Sequence, residues 1–311
     1  MIPYEFLAAL GMGSIISDKR MLDKALRLSA FSPDFCFEDA EDKKGRVFFA
    51  RYKFLGRGFG CWVGGHRRKR RNKEGQDVEK YIVMEWGVFA NAAADSIVSG
   101  VFVDVDFDNN AFCFALDEGS GNHIEFRVNN ALELMTKYRV ARDYDDMLDF
   151  ERGIALANVS MLMAFATVLL PVEHSRKSRT TRVHDDIPHD ITERDSDSMS
   201  FYENYEQQET DLRGRLANED MLSVFEGFFL NLIEQSGIFS VLAEILHVDE
   251  IINELSQEKI LRLDVDITGI KLSMYVNEKD LIGAPSEGMR VMGVGMAQGF
   301  VKLPSDVEIN P

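Results

Sequence analysis

The chain has 311 residues and a formal net charge of −17, with 52 Asp and Glu against 35 Lys and Arg. Hydrophobic residues make up 45% of it, which excludes wholesale disorder and allows a sizeable core in one or two domains. The acidic balance argues against a nucleic-acid-binding protein that works through its overall charge, and the three scattered cysteines indicate a reducing compartment rather than a disulfide framework.

Two helices are predicted at the N-terminus. The first runs from Pro3 to Leu10 and ends at Gly11 and Gly13, and the second runs over residues 18–28 with one apolar face. No basic stretch precedes the apolar start, so we expect no signal peptide and a cytoplasmic location.

A basic segment, GGHRRKRRNKEG at residues 64–75, lies between two stretches of strand character, residues 46–63 and 81–89. This spacing predicts a long hairpin with a solvated loop at its tip. Contact with an anionic surface or acidic partner is the first alternative, and nucleic-acid binding is the second. The tip contains only His66 and no aromatic residue, which disfavours nucleic acid. The candidate interaction surface comprises Arg67, Arg68, Lys69, Arg70, Arg71 and Lys73.

Strict alternation over residues 98–118 predicts a half-buried strand that turns at residues 108–110 into a second strand, AFCFAL. Asp104, Asp106 and Asp108 match the start of a calcium loop. The glycine and the bidentate glutamate that such a loop needs are missing, so we expect no metal here. The following stretch from His123 predicts a strand that leads into a helix, with no catalytic partner for the histidine.

Residues 153–172 contain no charged residue and are long enough to cross a bilayer. Asn158, Ser160, Thr167 and several alanines keep the mean hydropathy of this segment modest. We therefore expect a buried strand, or a pair of strands, and no membrane span.

Residues 173–217 have the composition of an exposed linker. Between residues 183 and 211 ten acidic residues stand against Arg194 alone, and large apolar residues are almost absent. His184 and His189 lie among aspartates there, but a linker of this kind does not preorganise a zinc site.

The C-terminal part predicts a helix followed by a small sheet. Apolar residues recur at helical spacing over residues 218–232, with Asn218 as the cap. Four strand-like segments follow within residues 238–303, joined by short turns, which is typical of an OB-like module. Gly293, Gly295 and Gly299 lie inside the last strand pattern and permit strong coiling rather than phosphate binding.

The final residues, VNEKDLIGAPSEGMRVMGVGMAQGFV, resemble the closing motif of a family from clostridial-type bacteria that is known only as a domain of unknown function. The similarity covers roughly the last half of the chain. It implies a cytosolic bacterial protein and assigns no activity, substrate or catalytic residue. The basic and acidic segments depart from the family pattern. The matching positions are Asn277, Asp280, Leu281, Gly283, Pro285, Gly288, Gly293, Gln298 and Gly299.

The sequence thus predicts an α+β protein: an N-terminal domain with a mixed antiparallel sheet at residues 1–172, a linker at 173–217, and an OB-like β module preceded by a helix at 218–311. We expect a non-catalytic interaction protein with a protein partner, and the acidic surface would steer a basic one. No catalytic, cofactor or metal residue is expected. An enzyme with a site between the two parts, and nucleic-acid binding by the OB-like module, are the alternatives.

Overall fold

A computed structural model of the protein describes residues 2–38, 44–71, 77–93, 96–98, 100–105, 111–116, 123–133, 155–171, 227–233 and 237–302. The described part has an α+β architecture that consists mostly of strands. The helices are α1 Tyr4–Ala8, α2 Met12–Ser17 and α3 Lys19–Phe31. The strands are β1 Phe35–Glu38, β2 Arg46–Gly56, β3 Phe59–Arg71, β4 Asp77–Ala90, β5 Ser96–Val98, β6 Gly100–Val105, β7 Ala111–Leu116, β8 His123–Val128, β9 Ala155–Leu169, β10 Phe228–Ile233, β11 Ile238–Ile252, β12 Lys259–Ile267, β13 Ile270–Asn277, β14 Leu281–Ile282 and β15 Arg290–Lys302.

Both predicted N-terminal helices are present, and α2 lies between them. Gly11 separates α1 from α2 because its φ of +71° is a left-handed conformation that glycine adopts without a steric penalty. The prediction that Gly13 ends a helix is wrong, because Gly13 lies within α2, where a Cβ atom would come within 2.9 Å of the Tyr4 hydroxyl. Asp18 caps α3 by accepting a hydrogen bond from the Arg20 backbone N–H.

A four-stranded antiparallel sheet, ordered β1-β2-β3-β4, contains the basic segment. The predicted hairpin is present as β3–β4, but a turn at residues 57–58 divides its predicted first strand, residues 46–63, into β2 and the start of β3. The prediction of a loop is wrong for residues 64–71. These residues continue β3, because β2 pairs with them up to Arg68 and β4 pairs with them up to Arg71. The strand is central and hydrogen-bonded on both sides, so the two glycines at its middle do not end it.

Five strands form a closed ring in the order β11-β12-β13-β9-β15, which β15 completes by pairing with β11. The β13–β9 pair is parallel and the other four pairs are antiparallel. The predicted strand within residues 153–172 is confirmed as β9, and its middle residues, Met161, Leu162 and Met163, are fully buried. The four predicted C-terminal strands are confirmed as β11, β12, β13 and β15.

Further strands extend this ring into a larger sheet. β8 pairs with β15 and continues through β7 to β6, so the predicted β6–β7 hairpin is confirmed. β10 pairs with β11. The prediction of a helix over residues 218–232 is therefore wrong from residue 228 onward, where the chain forms a strand. The stretch FFLNLI suits either structure by its apolar content, and antiparallel pairing with β11 decides for a strand.

The helices and the four-stranded sheet pack on one outer side of the ring. Phe6, Leu10 and Ile15 of the helices share a buried cluster with Phe59 of β3 and Tyr275 of β13. The two predicted parts of the chain are therefore in direct contact, and β9 from the first part is hydrogen-bonded between two strands of the second.

Some predictions fall outside the described residues. These are the linker at 173–217 with His184 and His189, and Asp106 and Asp108 of the calcium-like pattern. Within the described part, no helix is long and apolar enough to cross a membrane.

Candidate interaction site on the β3–β4 arm

The candidate residues lie on the outer half of the β3–β4 hairpin, residues 64–71 and 77–84, which we call the arm. Of the six basic residues predicted as an interaction surface, Arg67 to Arg71 are in β3, and Lys73 lies outside the described residues. Successive side chains of a strand point to opposite faces, so the basic run divides between two environments.

The face of the arm that packs toward α3 carries an ion-pair cluster, formed by Glu38, Arg51, Arg67, Glu79 and Tyr81. Glu38 accepts hydrogen bonds from Arg51 at 2.8 Å and from Arg67 at 3.0 Å. Arg67 also donates to Glu79 at 2.6 Å. The Arg51 guanidinium lies 4.5 Å from the centroid of the Tyr81 ring and donates to the Ala30 carbonyl at the end of α3. The cluster ties four strands to one helix.

The cluster shifts the pKa values of its members. Burial acts to raise the pKa of the Glu38 carboxyl, but hydrogen bonds from Arg51 and Arg67 outweigh burial and hold that pKa below its ordinary value. Hydrogen bonding to Glu38 raises the pKa of Arg67. Arg67 is thus fixed in a structural ion pair and is less available to a partner than the exposed Arg68, Lys69 and Arg70.

The opposite face of the arm carries cations directly beside one another. Arg46 of β2 is opposite Arg68 of β3, and Arg68 is opposite Lys80 of β4. Directly opposed residues share a face, with Cβ atoms about 4.5–5.5 Å apart. Arg70 lies two residues beyond Arg68 on the same face. We call Arg46, Arg68, Arg70 and Lys80 the cationic face, and within the described residues Arg68, Arg70 and Lys80 form no ion pair.

Aromatic rings lie next to the cationic face. Phe48 and His66 are opposite one another, two residues along their strands from Arg46 and Arg68, and their ring centroids are 5.8 Å apart. The Arg46 guanidinium lies 5.3 Å from the centroid of the Phe48 ring. Phe48 comes from β2, so the sequence of the basic segment alone does not reveal it.

A second cluster of polar side chains lies on the outside of the ring, where β12 and β13 are close to the turn between β2 and β3. Asp249 pairs with Arg57 and Arg262, and the Ser273 hydroxyl donates to Asp264 at 2.6 Å. Two arginines face two aspartates here, so the charges balance. The neighbouring Tyr275 is buried, which raises the pKa of its hydroxyl to about 12.

The hydroxyl groups of Tyr275, Ser160 and Ser273 attach the end of β4 to the ring. Tyr275 donates to the Asn91 carbonyl at 2.7 Å, Ser160 donates to the Ala90 carbonyl at 2.8 Å, and Ser273 accepts from the Ala93 N–H at 2.9 Å. All three hydroxyl groups form hydrogen bonds with the backbone at the end of β4 or of the residues that follow it. We therefore interpret them as docking contacts rather than as nucleophiles.

Asn277, which carries part of the C-terminal resemblance, also has a structural role. Its side chain accepts from the Lys279 N–H and donates to the Ala8 carbonyl and to Glu258. It therefore caps a short 3₁₀ turn and attaches α1 to the ring. Among the residues that the structure describes, no group of three or more metal-ligating side chains comes together.

A family model described as "Domain of unknown function, E. rectale Gene description (DUF3881)" matches residues 38–299. The chain belongs to this family. The match to the DUF3881 model confirms the family resemblance, and it extends beyond the C-terminal half to include the arm. No curated protein and no solved structure matches the chain.

Proposed function

We propose that this DUF3881 protein is a non-catalytic binding protein that engages an anionic partner through the cationic face of the arm. The observation that carries this proposal is the pair of exposed cations Arg68 and Lys80, which lie directly opposite one another and form no ion pair within the described residues. Like charges placed directly opposite on a sheet destabilise it. A partner with negative charge would remove that repulsion, whereas Arg67 on the other face is already neutralised by Glu38 and Glu79.

The overall charge of −17 does not oppose binding at this site. Residues 44–80 contain twelve Lys and Arg against three Asp and Glu, so positive charge is concentrated in the arm and the strands that support it. Arg68 is nine residues along β3 from Phe59, which is about 30 Å at the usual rise of a strand. Because charges in water are screened over about 8 Å at physiological ionic strength, the local charge of the arm dominates what a partner meets.

We also propose that the five-stranded ring is OB-like, as the sequence predicts. Three consecutive antiparallel strands, β11 to β13, and closure by β15 support this assignment. In the order of an OB barrel, β9 would occupy the position of the last strand although it precedes the others in the chain. The ring then serves as the scaffold from which the arm projects.

A protein partner with a basic surface remains the second candidate. Outside residues 44–80 the chain carries 49 Asp and Glu against 23 Lys and Arg, and such a surface steers a basic protein toward it. A cytoplasmic location suits either partner, and it is supported by the free thiols of Cys36 and Cys61.

Heparin, a polyanion, provides the test of the proposed function. We expect the full-length protein to be retained on a heparin column and the double variant Arg68→Gln, Lys80→Gln to elute at a clearly lower salt concentration. The matched control is Arg20→Gln, Lys24→Gln, which removes the same charge from the exposed surface of α3 and should elute with the unmodified protein. If both double variants elute with the unmodified protein, the cationic face is not the binding site.

A further inference from the structure

We infer that the anionic partner is single-stranded nucleic acid, whose phosphates contact the cationic face while a base stacks on Phe48 and His66. This inference rests on the proposed function, because it names the partner of the same site. It reverses the expectation from sequence, where the basic segment lacked the aromatic residues that base stacking needs. Pairing of β3 with β2 supplies the missing aromatic side chain, Phe48.

The geometry of the arm places charge and aromatic rings in adjacent rows. Arg46, Arg68 and Lys80 form one row, and Phe48 and His66 lie in the next row on the same face. Residues two apart on a strand are about 7 Å apart. Both residues are partly exposed, although the Nδ1 atom of His66 is buried. A nucleotide that places its phosphate on the first row therefore has its base within reach of the second.

The chemistry of the side chains favours nucleic acid over an acidic protein. Arginine presents a planar fork of donors that matches two phosphate oxygens at once. The carboxylates of an acidic protein would pair with the same arginines but would gain little from the Phe48 ring. A base, in contrast, presents a flat π surface to it. Stacking also requires an unpaired base, so the arm should prefer a single strand to a duplex.

The test is fluorescence anisotropy with the full-length protein and labelled 20-nucleotide probes: mixed-sequence single-stranded DNA, the RNA of the same sequence, and the DNA duplex. Poly-glutamate is the unlabelled competitor. We expect binding of at least one single-stranded probe with a micromolar or tighter dissociation constant, weaker binding of the duplex, and poor competition by poly-glutamate. Because each phosphate contact contributes about 0.7 to the salt slope for a single strand, Arg68→Gln with Lys80→Gln should reduce that slope by about 1.4.

Variants of Phe48 separate stacking from charge. Phe48→Leu keeps an apolar side chain in the sheet but removes the aromatic ring, and it should weaken single-strand binding about tenfold without changing the salt slope. Phe48→Tyr restores a ring and should restore affinity. The control Arg20→Gln, Lys24→Gln should bind as the unmodified protein does, and thermal unfolding of each variant confirms that it is folded.

Three results would overturn the inference. Equal affinity of Phe48→Leu and the unmodified protein would show that no base stacks on the ring. Equal binding of duplex and single strand, or full competition by poly-glutamate, would show that charge alone is recognised. In each case heparin retention that depends on Arg68 and Lys80 would still support the proposed function. Loss of both heparin and nucleic-acid binding would remove the function and the inference together.

Discussion

Arg67 and Arg68 are neighbours in the sequence, but they have opposite electrostatic surroundings. The side chain of Arg67 is 23% exposed and contacts Glu38 and Glu79, whereas Arg68 is exposed beside Arg46 and Lys80. A strand places consecutive side chains on opposite faces, and only one face of the arm packs toward α3. The run of six basic residues therefore combines a stabilising ion pair with part of the proposed binding surface.

Replacing Glu38 with Gln should lower the free energy of unfolding at pH 7 by about 1–2 kcal/mol, because hydrogen bonds between charged groups contribute roughly this much when partly buried. The change removes the negative charge that lies 2.8 Å from Arg51 and 3.0 Å from Arg67, although Arg67 keeps Glu79 as a second partner. Urea unfolding followed by circular dichroism measures the difference. Asp23→Asn is the control: it removes a carboxylate from an ion pair whose two side chains are 71% and 60% exposed, so we expect about 0.5 kcal/mol or less.

The effect of Glu38→Gln should depend on pH in a defined direction. The pKa of Glu38 is lower in the folded protein than its ordinary value of 4.5, so the folded state binds this proton less readily than the unfolded state. Its contribution is then present above pH 4.5 and is lost as the pH falls through the lower folded value. The free energies of unfolding of the unmodified protein and of Glu38→Gln, measured as a function of pH, should converge in that range. A difference that stays constant down to pH 3 would show that the carboxylate charge is not what stabilises the cluster.

At the scale of elements, the sequence predicts strands well where alternation is regular and fails where tertiary pairing decides. The alternation within residues 238–303 predicts β11, β12, β13 and β15. The stretch FFLNLI instead continues a helical apolar spacing, and it becomes β10 because β11 offers an edge for pairing. Gly64 and Gly65 suggest the start of a loop, and only the presence of strands on both sides keeps them in β3.

The glycines of β15 have a more specific role than the predicted coiling. A Cβ atom on Gly293 would lie 2.3 Å from the Phe165 carbonyl oxygen, so the backbones of β15 and β9 approach too closely for any side chain. A Cβ atom on Gly295 would instead lie 2.4 Å from Cγ of Met161 and 2.6 Å from the sulfur of Met163, so two buried side chains rather than a backbone would have to move. The register of β15 against β9 shifts between Val294 and Gly295, which places a bulge between the two sites.

These two glycines give a matched pair of substitutions in one strand. Gly293→Ala should lower the free energy of unfolding by about 2–3 kcal/mol, because the backbone of β9 has to move, as in an overpacked core. Gly295→Ala should lower the free energy of unfolding by less, about 1 kcal/mol, because buried methionine side chains rather than a strand backbone have to move and because alanine restricts the unfolded chain. Urea unfolding of both variants measures the difference. Equal losses would mean that the close approach of β9 and β15 is not the reason for glycine at position 293.

At the scale of the whole molecule, segments that are distant in sequence complete both the ring and the site. β9 ends more than one hundred residues before β13 begins, but it pairs with β13 and with β15. The cationic face likewise needs β2, β3 and β4, and the ion-pair cluster needs Glu38 of β1. No local pattern encodes such pairings between distant strands, so the sequence predicts the basic residues as a set but not which of them lie on the cationic face.

The position of β9 leads to a test of the predicted division into residues 1–172 and 218–311, which is still a prediction. Without β9, β13 and β15 each lose a hydrogen-bonded neighbour, and core residues such as Met274 and Val291 lose the strand that covers them. We therefore expect fragment 218–311 alone to show no cooperative thermal unfolding.

Co-expression with fragment 1–172 should restore a cooperative transition and yield a complex that co-purifies at equal stoichiometry, because β9 can then enter the ring in trans. Fragment 1–172 with Gly or Pro replacing Met161 is the control that should fail to rescue, since either residue weakens the middle of a strand. Cooperative unfolding of fragment 218–311 by itself would instead establish it as an independent domain and reduce β9 to a peripheral strand.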